Sequence, residues 1–473
     1  MSFSFRRLFR PAALALLLPL GAAVPSSRPL QGAQPDPQVI AQFGLYNNQA
    51  LQAYITKQGK AMTAISDRPG DYGFTIVDSP VINAFATPDG HVYFTRGIMA
   101  YFNDEAQFTG VLGHELGHIT ARHGQKQQTK STIASILMGV GSVAAPRLMQ
   151  GVLGNVVQGG VQLGLLKYSR DAENEADALG VKYSTKTGYD ASHMANFFQT
   201  LERTEKASGS AGTPGFLSTH PNSADRYTRV KGLAAQARQS LGKTTLKVNR
   251  DSYLRSIEGL VYGNDPRQGY VASNVFYHPD LKFSLPVPSG WKTENTPAQF
   301  QMSEPSGKAL LVFLAAPAGT PEAAAQAVAK QLGLSAAQAQ NTTINGFPAV
   351  AFEGDQAASS SSSSSTPARV RGYVIKDGSS NFALLGLAPT ASFGTYAPQF
   401  DQVAQGYKRL TDASRLNKQA ERISIRQVKS ATTLRQALTA NGVASGRLEE
   451  LAIVNGMELG DQLPAGTLFK VVK

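Results

Sequence analysis

The run His114, Glu115, Leu116, Gly117, His118 constrains this chain more than any other feature. Two histidines four residues apart lie on one face of an α-helix, so the run asks both for a helix and for a shared occupant of that face. Its surroundings supply the helix. Asn103 or Asp104 can cap the first turn, and Phe108, Val111, Leu112, Leu116 and Ile119 form a stripe to bury. The occupant expected is one zinc ion per chain, because neutral imidazoles suit zinc and a site with three protein ligands leaves a position open for water. Glu115 is placed to take the proton of that water as it attacks a carbonyl. With only 7 histidines in the chain, a chance occurrence of this spacing inside a helix pattern is rare. His123 faces another direction and is assigned a structural role.

A third ligand has to come from a separate helix. Glu173 and Glu175 in the run SRDAENEADALG are the candidates, and spacing alone does not choose between them.

A length of 473 residues is enough for two or three domains, each with a core of its own. Composition is that of a globular protein, 42% hydrophobic and 16% charged, with 45 glycines and 25 prolines for turns and linkers. The formal charge of +12 includes Arg6, Arg7 and Arg10, and no cluster of Lys and Arg interleaved with aromatics marks a nucleic-acid partner. Residues 1–25 read as a secretory signal: a basic start, a short apolar stretch from Ala12 to Leu20, then Gly21, Ala22 and Ala23. There is no cysteine, which excludes disulfides and an acylated-cysteine anchor. Export to a bacterial periplasm fits best.

After the leader, apolar spacing predicts one helix from about Val39 to Ile65, then β-prone runs at Gly73 to Val77 and His91 to Thr95. Residues 133–166 are apolar and Gly-rich, with Pro146, Arg147, Gln150 and Gln158 interrupting them. The uninterrupted length falls short of a membrane span, so helices lining or covering a groove are favoured over insertion, and a peripheral membrane contact through 133–166 stays open. Helices are expected over Arg170 to Thr187, Ala191 to Lys206 and Ser223 to Gln239. Residues 246–272 read as a connecting segment and 273–412 as a small α+β domain to which the sequence assigns no role, with Ser359 to Ser365 in a solvated loop. The last unit, 423–473, reads as strand, two helices and strand.

Three segments, INAFATPDGHVYFTRGIMAYFNDEAQFTGVLGHELGHITARHG, YSRDAENEADALGV and STHPNSADR, together resemble the zinc metallopeptidases that include CaaX prenyl proteases, HtpX-like proteases and periplasmic BepA-like proteases. The resemblance implies a mainly α-helical zincin of the gluzincin type with a small β-sheet over about 36–245. It also implies that Glu173, first in an ExxxD pattern, is the third ligand and that Asp177 orients a ligand histidine. His220, before Pro221, is similar to a histidine that can approach the metal and hold such enzymes latent. Arg226 then meets a carboxylate or the transition-state oxyanion, or braces a helix. Asn83, Ala84 and Phe85 resemble a substrate-side edge strand, which would bind an extended peptide through its backbone. The final unit looks like a degenerate LysM repeat, to bind peptidoglycan or to dock on its own chain. The expected function is a periplasmic zinc metalloendopeptidase that clears unfolded or misassembled envelope proteins, in contact with an outer-membrane assembly complex. The alternatives are a chaperone or binding protein with a latent zinc site, and an integral membrane protease.

Overall fold

A computed structural model describes residues 34–128, 168–208, 215–216, 220, 225–242, 245–356 and 367–473. The leader, the stretch 133–166 and the serine tract lie outside the described residues.

The N-terminal part is built on helices. α1 (Pro37–Phe43) and α2 (Gln49–Thr63) stand where sequence periodicity predicts one helix. Gly44 ends α1 at φ 74°, a conformation that glycine reaches without steric cost, and the Asn48 side chain caps α2 by accepting from the Leu51 amide. A three-stranded sheet follows in the order β1 (Gly73–Val77), β3 (His91–Thr95), β2 (Ala84–Ala86), with β1 parallel and β2 antiparallel to β3. Then come α3 (Arg96–Tyr101), α4 (Glu105–Thr120), α5 (His123–Gln128), α6 (Arg170–Lys186), α7 (Ser192–Ser208) and α8 (Arg226–Ser240). Asp104, one of the two caps expected, accepts from the Gln107 amide at 2.7 Å and starts α4.

α4 and α6 pack with almost no side chain between them. A Cβ added at Gly113 would come within 2.9 Å of the Gly180 carbonyl, one at Gly180 within 2.9 Å of the His114 amide, and one at Gly117 within 3.1 Å of Ala176. Small residues on both helices therefore set the distance between the motif of α4 and the carboxylates of α6.

The connecting segment carries α9 (Arg250–Ser256) and is pinned by Arg96. That guanidinium is fully buried, paired with Asp78 at 2.6 Å, and donates to the carbonyls of Gly263 and Val261.

The next unit has a seven-stranded antiparallel sheet in the order β10-β11-β12-β13-β9-β8-β7. Its strands are β7 (Lys292–Asn295), β8 (Gln299–Ser303), β9 (Leu310–Ala316), β10 (Leu334–Ile344), β11 (Phe347–Gln356), β12 (Ala368–Asp377) and β13 (Ser380–Pro389). Strands β4 (Tyr270–Ala272), β5 (Val275–His278) and β6 (Phe283–Pro286) pair into a second sheet with β14 (Lys408–Arg409). α10 (Pro321–Gln331) covers Leu310, Val312 and Val370 on one face of the large sheet, and α11 (Phe393–Gln405) covers Phe313, Tyr373 and Leu384 on the other. This alternation along single strands is what a sheet buried on both faces requires.

In the last unit β15 (Ile423–Gln427) pairs antiparallel with β16 (Leu468–Val472), and α12 (Leu434–Ala440) and α13 (Leu448–Val454) lie between them in sequence. Its apolar residues Leu438, Leu451, Val454 and Phe469 share one continuous core with Phe102, Phe197 and Leu201 of the N-terminal part. Among the described residues no helix is long and apolar enough to cross a membrane.

Candidate metal centre

Four side chains from three places in the sequence meet at one buried point. His114 and His118 come from α4, Glu173 from the first turn of α6, and His220 from a position just before α8; each is at most 3% exposed. His114 Nε2 lies 3.1 Å from His118 Nε2 and 3.3 Å from His220 Nδ1. Glu173 Oε1 lies 3.0 Å from His220 Nδ1 and 3.6 Å from His118 Nε2, and Glu173 Oε2 is 3.6 Å from His114 Nε2.

The donor atoms can be assigned from their other contacts. His114 Nδ1 is 2.9 Å from Asp177 Oδ1, and a carboxylate only accepts, so the ring proton sits on Nδ1 and Nε2 presents a lone pair. Burial holds the His118 imidazole well below its usual range, which favours its neutral form. Ring nitrogens of His114 and His118 and the Glu173 carboxylate thus converge on one point, which a divalent cation satisfies. A tetrahedral ion with bonds of ~2.0–2.1 Å separates its donors by roughly 3.3 Å, which matches the spacing here. The residues fit a zinc ion.

Around these donors lies a shell of charge. Asp177 receives His114 and also two arginines, Arg226 through Nε at 2.9 Å and Nη2 at 2.8 Å, and Arg229 at 2.6 Å. Burial would raise its carboxyl, but Arg226 and the His114 hydrogen bond hold it well below the usual range. Arg226 Nη2 also reaches Glu173 Oε2 at 3.2 Å, and its guanidinium lies over the Phe198 ring at 4.2 Å. Arg226 thus contacts two carboxylates, Asp177 and Glu173.

Glu115 sits inside this ring with neither carboxylate oxygen in a hydrogen bond among the described residues. His220 Nε2 is 3.6 Å from Oε1. Burial pushes its carboxyl up, despite the lowering effect of His220 and His114, which is the direction a general base needs.

The strand residues lie beside the centre in a way the sequence did not resolve. Asn83 is turned towards β3, its carbonyl accepting from the Thr95 amide at 3.0 Å. By alternation the backbone of Ile82, Ala84 and Ala86 faces the other way, and the Ile82 carbonyl there accepts from the Phe216 amide at 2.8 Å. Asn83 and Phe85 therefore hold the strand in the sheet, and Ala84 is the one expected residue on its outer edge.

Sequence reasoning missed three features. Tyr168 stacks on His118 with ring centroids 3.9 Å apart, Arg229 shares Asp177, and Glu175 is not at the donor cluster but pairs with His123 at 3.1 Å. Tyr168 opens the run YSRDAENEADALGV, so only its role was hidden.

Two histidines and a glutamate from a glycine-packed helix pair, with a second buried glutamate beside them, make a metallopeptidase-type centre. Residues 48–234 match Peptidase family M48, and they form a peptidase domain of that family. The beta-barrel assembly-enhancing protease of Escherichia coli (strain K12) is 26% identical over 231 residues, 47% of this chain and 46% of that one. Metalloendopeptidase OMA1, mitochondrial, of Bos taurus is 32% identical over 171 residues, 34% of this chain and 32% of that one. Mitochondrial metalloendopeptidase OMA1 of Arabidopsis thaliana is 31% identical over 182 residues, 38% of this chain and 35% of that one. The chain spans less than half the length of these curated relatives.

Proposed function

We propose that the protein is an exported zinc metalloendopeptidase of the bacterial periplasm that cleaves unfolded or misassembled envelope proteins. The observation that carries this reading is the convergence of His114, His118 and Glu173 beside the Glu115 carboxylate, which makes no hydrogen bond among the described residues. Zinc would supply Lewis-acid polarisation of the scissile carbonyl. Glu115 takes the proton of the attacking water and returns it to the departing amine. Asp177 holds His114 in the tautomer whose Nε2 lone pair faces the centre, and Arg226 and Arg229 keep Asp177 ionised. A peptide would add as a strand along the outer edge of β2, where backbone groups read backbone and side chains matter little. That suits unfolded substrates. The β-barrel proteins in the name of the Escherichia coli relative are the proposed envelope class, with an outer-membrane assembly complex as partner.

His220 supplies a fourth donor, which in the proposed reading fills the position the attacking water needs and keeps the enzyme latent. The test is cleavage of casein or an unfolded outer-membrane protein by purified mature protein, with zinc content measured on each variant. Glu115→Gln should retain zinc and lose cleavage, and His220→Ala should gain it. If wild type and His220→Ala both hold zinc and cleave nothing, a chaperone or wall-binding protein with a latent zinc site replaces this reading.

A further inference from the structure

Among the described residues, no carboxylate contacts His118 Nδ1 to match the Asp177 that orients His114. What touches its Nδ1 instead is another ring: His123 Nδ1 at 2.9 Å. The far nitrogen of that ring, His123 Nε2, is 3.1 Å from Glu175 Oε2. His123 is 4% exposed at its side chain and Glu175 54%, so the series runs from the buried centre out to solvent.

We infer that His123 and Glu175 are positioning residues that fix the tautomer and the rotation of His118 as a metal ligand. The inference rests on the metal centre proposed above and extends it to residues outside the donor set.

Hydrogen-bond arithmetic leaves one arrangement. A carboxylate only accepts, so His123 Nε2 carries the proton given to Glu175, and the neutral ring then presents a lone pair at Nδ1. His118 Nδ1 must donate to that lone pair, which puts the His118 proton on Nδ1. Its Nε2 lone pair is left facing His114 Nε2 at 3.1 Å, where the metal donors converge. The local fold is built to bring this about. α4 ends at Thr120, Arg122 takes the left-handed conformation at φ 58°, and α5 starts at His123, so the chain turns back over the His118 turn of the helix. The His118 and His123 rings stand at 70° with centroids 5.0 Å apart. Tyr168 stacks on the His118 face at 16°, so stacking sets the plane of the ring and His123 sets its rotation within that plane.

Zinc release from the loaded, full-length protein to an excess of a chromophoric chelator tests this, together with the visible absorption of the cobalt-substituted protein. Four proteins are compared: wild type, His123→Leu, His123→Asn and Glu175→Ala. Leucine fills the space without an acceptor, whereas asparagine places an amide oxygen near the Nδ1 position. His123→Leu should release zinc about 10- to 100-fold faster and alter the cobalt spectrum, as loss of an outer hydrogen bond to a ligand does elsewhere. His123→Asn should stay close to wild type on both. Glu175→Ala, at the surface and safe for folding, should shift both in the same direction as leucine by a smaller factor. Equal release rates in the leucine and asparagine proteins overturn the inference, whether both are slow or both fast, since packing alone would then explain His123. Should the leucine protein not fold, a Glu175→Ala protein with wild-type release and spectrum overturns it equally. Failure of the peptidase reading shows differently, as zinc held without cleavage in wild type and in His220→Ala.

Discussion

The ammonium of Lys470 lies 2.7 Å from the main-chain carbonyl of Ala100, 370 positions earlier in the chain. The same nitrogen donates to Phe102 at 2.8 Å and Val454 at 2.7 Å, so its three donors meet three carbonyls in a fully buried setting. Burial holds its pKa well below the lysine range. The carbonyls of Ala100 and Phe102 belong to the end of α3, directly ahead of the helix that carries the metal motif. Lys470→Met keeps the length and apolar stem but leaves three buried acceptors without a donor, which should cost about 3–5 kcal/mol. Chemical denaturation of the full chain reads this. A loss under about 1 kcal/mol would mean that water replaces the lysine.

Packing between α4 and α6 makes a second prediction. Because a Cβ at Gly180 would stand 2.9 Å from the His114 amide, Gly180→Ala has to push α6 away from α4. Overpacking of this kind costs about 1–3 kcal/mol. The same shift moves Glu173 and Asp177, so zinc affinity should fall along with thermal stability. Gly232→Ala in α8, where nothing lies within 4 Å, is the control and should gain about 1 kcal/mol from helix propensity alone. Equal effects at the two glycines would argue against close helix approach as the device that sets the site.

How much of this was legible in the sequence follows from the range of the interactions. The α4 helix, a cap at Asn103 or Asp104 and the pairing of His114 with His118 are local, and spacing alone gives them; the structure settles the cap on Asp104. Choosing Glu173 over Glu175 is not local: both sit on α6, and only the approach of that helix turns one to the donors and the other to His123. The approach itself had a signal in Gly113, Gly117 and Gly180, to which the sequence reading assigned no role. In the α+β unit the β10–β11 hairpin went unread because Ala, Gln and Thr residues in β10 give no apolar alternation. Its turn, Asn345 at φ 47° and Gly346 at φ 85°, was the signal available. The joined reading of α1 and α2 failed for the opposite reason, since apolar spacing continued across a break that Gly44 and Asn48 impose.

Removing the charge of Asp177 should expose how the shell around the donors works. In Asp177→Asn the side-chain oxygen can still accept from His114, but Arg226, fully buried, loses one of its two carboxylates. Breaking one side of a buried ion pair costs about 3–5 kcal/mol, and weakened orientation of a ligand histidine lowers metal affinity about 10- to 100-fold. Denaturation and zinc competition measured on the same variant separate the two. Loss of stability with unchanged zinc affinity would assign Asp177 to the arginines alone.

Acid sensitivity of the α+β unit provides a prediction independent of the metal. Burial pulls the His278 imidazole down to about 4, against about 6.5 for an unperturbed histidine. Its Nδ1 accepts from the Leu281 amide at 3.2 Å, a contact only the unprotonated nitrogen can make. Since the folded pKa is the lower of the two, the unfolded chain binds the proton first as pH falls. The stability contributed by His278 is therefore complete above about 6.5 and declines as pH drops towards 4, by up to ~3 kcal/mol. The single tryptophan, Trp291, packs against the core of this unit, so its fluorescence follows unfolding here. In His278→Asn the amide oxygen can still accept from Leu281 but does not titrate, so wild type should lose more stability than the variant between pH 7 and pH 4.5. A difference between the two proteins that stays constant across that range would show that His278 titrates normally in the fold.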